Sequence, residues 1–243
     1  MYNKDLFENI TSYNEFKKGD LTWTLPLRYR KAGGFTTMYS ASYDAVKSIM
    51  PSERLKPYRI SPNRTLVMIC AFDYQDTDVG PYGEGGTCIP TCIEHNGKKH
   101  RGLYIHYLPV TTELARVAGI ESYGFPKFVT DMEHEHGSKI RSVKIKENDR
   151  HIMDMSVVKG GFAKVLSMKL KMFTVRNDEI IQSEFILQVV GRFKLFGKCD
   201  LTLGDHPMAD GIRAYDIGKR PVMTGELLDG TLVLQEGVSL GRV

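Results

Sequence analysis

Apolar residues in this chain recur mostly in short runs or in alternation, the pattern of strands more than of helices. Arg64–Tyr74, RTLVMICAFDY, is β-rich and nearly all apolar, which predicts a strand buried on both faces. Thr87–His95 is a second strand candidate, with Pro90 marking an edge or a bulge. His100–Leu108 alternates well, and Asn96-Gly97 between these two runs predicts a hairpin. Further strands are predicted over Lys139–Glu147, His151–Val158, Lys164–Phe173, Ser183–Phe193 and Cys199–Leu203, with Thr231–Leu234 as a last one. Glu147-Asn148-Asp149 and Lys159-Gly160-Gly161 supply turns between them.

Helical spacing is confined to two short segments. Ser42 is placed to cap SYDAVKSIM, which Pro51 stops. Thr111-Thr112 opens TTELARVA, with Gly119 as the expected end. Residues 1–30 read as an irregular or partly helical lead-in, Phe35–Ser40 as a short strand, and VGPYGEGG (79–86) as a glycine-rich loop. With no internal repeat or linker, the expectation is one domain over 1–243, α+β and mostly antiparallel β, arranged as a sandwich or barrel with a few helices.

Composition narrows the function more than the fold. The net charge of +4 is mild and its lysines and arginines are scattered, so no nucleic-acid partner is expected. The N-terminal residues carry no apolar signal region, and the run Leu66–Phe72 is too short to span a bilayer. A cytoplasmic protein without a membrane partner is therefore expected. Cys88 and Cys92 lack the further ligands of a zinc set, and His134 and His136 share a strand face without a third, so no metal site is expected.

The stretch that carries chemistry is Gly119–Asp131, GIESYGFPKFVTD. Lys127 follows a proline and stands between Phe125 and Phe128. A lysine near aromatic rings commonly packs its stem and keeps its head in water. An enclosed amine is different: desolvation disfavours its charged form, and the neutral amine can add to a ketone to form a Schiff base.

Two segments together resemble the acetoacetate decarboxylase family. One is Gly80-Pro81-Tyr82-Gly83-Glu84-Gly85-Gly86-Thr87-Cys88-Ile89-Pro90; the other is Gly119-Ile120-Glu121-Ser122-Tyr123-Gly124-Phe125-Pro126-Lys127. Asp205-His206-Pro207-Met208-Ala209 matches more loosely. The resemblance implies a β-barrel-centred fold with peripheral helices, a homo-oligomer and a small keto-acid substrate. It assigns Lys127 as the Schiff-base amine, Glu84 as a proton shuttle and Glu121 as a second acid lining the pocket. Arg30 matches an arginine that handles the substrate carboxylate, with Arg28 and Lys31 as rivals, and Phe125 and Phe128 would border the substrate. Activation of this kind of lysine in acetoacetate decarboxylase is itself a standard example of the principle.

Two positions depart from the family pattern. Phe128 stands where the family has a second lysine, and Ile120 stands where it has an arginine. The expected reaction is decarboxylation of a β-keto acid such as acetoacetate to a methyl ketone, with no metal or organic cofactor required. Schiff-base aldol or dehydration chemistry on another keto acid is the alternative the departures favour, and a non-catalytic ligand-binding barrel is the third.

Overall fold

The computed structural model describes residues 5–8, 10 and 13–243. The elements in chain order are α1 (Asp5–Glu8), β1 (Asn14–Lys18), β2 (Leu21–Leu25), β3 (Leu27–Ser42), α2 (Tyr43–Ser48), β4 (Lys56–Pro57), β5 (Arg64–Thr77), β6 (Tyr82–His95) and β7 (Lys98–Tyr107). They continue with α3 (Glu113–Tyr123), β8 (Asp131–His136), β9 (Ile140–Glu147), β10 (Arg150–Val158), β11 (Phe162–Arg176), β12 (Glu179–Leu195), β13 (Cys199–Leu203), α4 (Pro207–Ala214), β14 (Met223–Leu234) and β15 (Val238–Arg242). The fold is α+β and mostly antiparallel, with few helices.

One large sheet runs in the order β11-β7-β6-β5-β3-β14-β12-β15, and β11 also pairs with β12. The β7–β11 contact is parallel and short, Leu103 against Met172 and Tyr104 against Phe173. It is close because Gly102 has no side chain: a Cβ there would lie 2.3 Å from the Lys171 carbonyl oxygen.

Alternation in β5 gives the large sheet its two apolar faces. Cys70 and Tyr74 join one buried cluster, with Met68 and Phe72 packed against it. Val67, Ile69 and Ala71 join the other, with Val143, Ile145, Met155 and Val157 of a four-stranded sheet ordered β13-β10-β9-β8. Both faces of β5 are thus buried, as its apolar run predicts. The β6–β7 hairpin turns at Asn96 (φ 49°) and Gly97 (φ 70°), both left-handed, as the predicted turn requires.

Three expectations need correction. The lead-in holds strands β1, β2 and the start of β3, while residues 1–4, 9, 11 and 12 of it lie outside the described residues. The strand predicted over Phe35–Ser40 is the second half of the sixteen-residue β3. The glycine-rich stretch is strand from Tyr82 onward. Its glycines serve close layer contact: a Cβ at Gly85 would sit 2.7 Å from Ile145 Cδ1, and one at Gly86 would sit 2.9 Å from the Tyr107 carbonyl oxygen.

Candidate active site

Helix α3 and the extended segment after it position Lys127. Thr112 caps the helix by accepting from the Ala115 N–H. The helix runs four residues past Gly119, to Tyr123, and ends at Gly124 in the left-handed conformation (φ 66°). The Gly124 N–H then bonds back to the Ile120 carbonyl, the closing bond of an αL cap, and the Phe125 N–H reaches the Gly119 carbonyl. The expected stop at Gly119 is therefore one turn early. Gly119 answers a different need. A Cβ on it would lie 2.6 Å from Lys127 Cδ and 2.7 Å from Cε, so the lysine stem lies directly over the helix backbone.

Residues 125–130 are extended beside 108–110. Leu108 and Val110 donate to the Pro126 and Phe128 carbonyls, and Thr130 donates to that of Val110. Phe125 and Lys127 border a cavity of about 360 Å³ inside the large sheet. Phe128 goes the other way, packs against the core layer under the four-stranded sheet, and stacks on His206 at 6.0 Å. It does not border the cavity, because adjacent residues of an extended segment face opposite sides.

At one end of the cavity Lys127 Nζ meets Glu84 Oε2 at 2.9 Å, with side-chain exposures of 4% and 8%. Tyr74 donates its hydroxyl to Glu84 Oε1 at 3.2 Å, and the Tyr29 and Tyr82 hydroxyls bond to each other at 3.2 Å. Burial, with the Glu84 charge adding to it, raises all three phenols well above their ordinary value, so they remain neutral donors. The Tyr82 and Phe125 rings lie 5.2 and 5.6 Å from Lys127 Nζ and offer it cation–π contacts. Cys70 and Cys88 also line the wall; contact with Cys88, then burial, pushes the Cys70 thiol well up, which keeps it protonated.

The other expected site residues lie elsewhere. Glu121 is on the surface, paired with Lys18. Arg30 binds Asp76 at 3.2 Å and Asp78 at 2.5 Å, and Arg28 shares Asp78 at 3.0 Å. Lys31 is exposed. The structure thus brings Lys127, Glu84 and Phe125 together and leaves Glu121, Arg30 and Phe128 outside. The charged residues bordering the cavity are Lys127, Glu84 and Glu226. Glu226 is buried, stands opposite Phe35 and Arg192 in register, and has Arg192 Nη1 4.0 Å from its carboxylate. Among the described residues, no cluster of three metal-ligating side chains is present, and no helix is long and apolar enough to cross a membrane.

The sequence profile of the acetoacetate decarboxylase family matches residues 17–210, most of the chain, including Lys127, Glu84 and the tyrosines around them. The chain belongs to the acetoacetate decarboxylase family. Solved structures of similar fold include an acetoacetate decarboxylase at 20% identity and TM-score 0.72, covering 93% of this chain and 91% of that one. Another is the acetoacetate decarboxylase of Legionella pneumophila, at 15% identity and TM-score 0.74, covering 97% and 94%. A third is the enduracididine biosynthesis enzyme MppR, in complex with the condensation product of pyruvate and imidazole 4-carboxaldehyde, at 15% identity and TM-score 0.63, covering 89% of each chain. No curated protein sequence matches significantly. The fold is thus one that accommodates more than one reaction, and the site has to argue its own chemistry.

The tyrosines around Glu84 were not singled out from the sequence. The available signal was alternation: Phe72 and Tyr74 on β5 follow Cys70 at intervals of two, so a residue known to border the cavity marks its neighbours.

Proposed function

We propose that the protein is a Schiff-base lyase that decarboxylates a β-keto acid through Lys127. The observation that carries this is the buried Lys127–Glu84 contact of 2.9 Å at one end of an otherwise apolar cavity. Glu84 takes a proton from the ammonium, and the free amine adds to the substrate ketone. Glu84 returns the proton as the carbinolamine loses water, leaving a protonated imine. The C–C bond to the carboxylate breaks, CO2 departs, and its bonding pair moves into the imine as an enamine. Protonation at carbon and addition of water release a methyl ketone and restore the amine. Tyr74 holds Glu84 in place by donating to its other oxygen.

A second Schiff-base reaction, aldol or dehydration on a different keto acid, is favoured by the two departures from the family pattern, Phe128 and Ile120. Arg28 and Arg30 are engaged by Asp76 and Asp78, so a carboxylate on either substrate meets no arginine among the lining residues. A barrel-centred reading of the large sheet is supported by β11, which pairs with β7 on one side and β12 on the other. A homo-oligomer is supported by the apolar residues exposed on the β11–β12 hairpin and just beyond it, among them Phe162, Val165, Leu195 and Phe196.

The test is CO2 release from acetoacetate by the wild type, Lys127→Met and Glu84→Gln. Release abolished in the first variant and reduced roughly 10²–10⁴-fold in the second is expected. Consumption of keto acid by the wild type without CO2 would favour the aldol or dehydration reading.

A further inference from the structure

We infer that the substrate carries a long unbranched aliphatic chain on the ketone, and that the cavity beyond Lys127 is the sleeve for that chain. The inference rests on the reading of Lys127 as the ketone-binding amine. It adds the class of molecule, a medium- to long-chain keto acid in place of a four-carbon one.

Three observations carry it. The first is size. The cavity, at about 360 Å³, falls in the range of pockets that hold drug-sized ligands, ~300–1,000 Å³. A four-carbon acid would leave much of it vacant, next to walls that gain nothing from water. The second is polarity. The polar chemistry gathers where Lys127, Glu84, Tyr29 and Tyr74 meet, and away from it, Thr36 and Glu226 excepted, the walls are mostly aliphatic or aromatic: Leu103, Ile105, Leu170, Phe185, Leu187 and Val189 are among them. A ligand anchored at Lys127 has no hydrogen-bonding partner along most of its length, so its remaining atoms must be apolar to leave water at no cost. The third is adaptability. Five of the chain's eleven methionines border this cavity: Met38, Met68, Met168, Met172 and Met223. Methionine is unbranched and polarisable and repacks around variable shapes. Such walls suit flexible chains of differing length better than one rigid ring.

Strand alternation extends the apolar wall towards solvent. Met168 and Phe193 border the cavity and are nevertheless 48% and 42% exposed. Phe162, the register partner of Phe193, is 88% exposed. A chain that outgrows the enclosed part would therefore continue along an apolar ribbon.

The experiment measures equilibrium affinity for methyl ketones of increasing chain length, with wild type and with Lys127→Met, alongside borohydride trapping of the wild-type imine. Affinity rising about fourfold per added methylene, over several successive members and in both proteins, is expected. Leu187→Phe fills part of the wall and should move the plateau to shorter ketones without changing the per-methylene rise below it. Affinity independent of chain length in both proteins would overturn the inference, and would do so even if acetone traps as an imine and the lysine chemistry stands. A length-dependent rise with no trappable imine would keep the sleeve and remove the Schiff base. The wild-type series needs no variant, so a misfolded Leu187→Phe leaves the test intact.

Discussion

At the residue scale the centre of the protein is a pair of opposite charges that hardly touch water. Such a pair is held by mutual compensation, and deleting one member strands the other in a poorly polarisable interior. Lys127→Met should lower stability by about 3 kcal/mol or more, and Glu84→Gln by a similar amount. The double variant should recover most of that loss, so chemical denaturation of the four proteins should yield a large coupling energy. A second residue-scale prediction concerns Gly119. Alanine inside a helix is ordinarily favoured over glycine by roughly 0.5–1 kcal/mol. Here the added methyl would displace the lysine stem, which is flexible enough to give way. Gly119→Ala should therefore lower thermal stability by less than loss of either charge, since the shifted amine loosens its contact with Glu84, and should lose activity about 10²-fold, the cost of misplacing a group by roughly an ångström.

Elements show which features can be read from a sequence and which cannot. The buried strand β5 and the Asn96-Gly97 hairpin were legible because period and turn chemistry are local properties. Lys127 and Glu84 were legible because their segments resemble a family. The end of α3 was misplaced because Gly119 looks like a helix stop, whereas its cause is a lysine stem eight residues further on that only tertiary structure brings back. Glu121 and Arg30 carry the same charge cues as Lys127 and Glu84, and what separates them is the nearby Lys18, Asp76 and Asp78, which no spacing rule reveals. Two element-level predictions follow from contacts of this kind. Gly102→Ala should push β7 from β11 and destabilise the fold by about 1–3 kcal/mol, seen as a lowered denaturation midpoint. His106 on β7 is partly buried, bonds to the Tyr215 hydroxyl at 2.5 Å, and burial lowers its pKa from 6.5 to about 4. Between those values the unfolded chain binds a proton that the folded chain refuses, so the His106 contribution is present above pH 6.5 and is lost as pH falls towards 4. After allowance for its partial exposure this amounts to about 2 kcal/mol. Denaturation curves of wild type and His106→Gln across that range should differ by this slope.

For the whole molecule, the large sheet does two jobs with its two faces. One rests on the four-stranded sheet and gives rigidity; the other encloses the cavity and the ion pair. The β11–β12 hairpin extends the sheet into solvent, where Phe162 and Leu195 continue the cavity face, Val165 lies on the opposite face, Phe196 follows β12, and all four are more than two-thirds exposed. Apolar surface of this kind is normally covered by protein. If the proposed homo-oligomer forms through this patch, light scattering should give the wild type a mass above that of one chain and Phe162→Glu combined with Val165→Glu the mass of a single chain; a single-chain mass for the wild type would contradict it. Covalent bonding of Lys127 to a ketone is measured by borohydride reduction in the presence of acetoacetate, followed by mass spectrometry of the Lys127 peptide. An isopropyl adduct on Lys127, the reduced imine of acetone, is expected, and it should be absent from Lys127→Met. An unmodified Lys127 peptide from folded protein, with acetoacetate, pyruvate and longer keto acids alike, would contradict it.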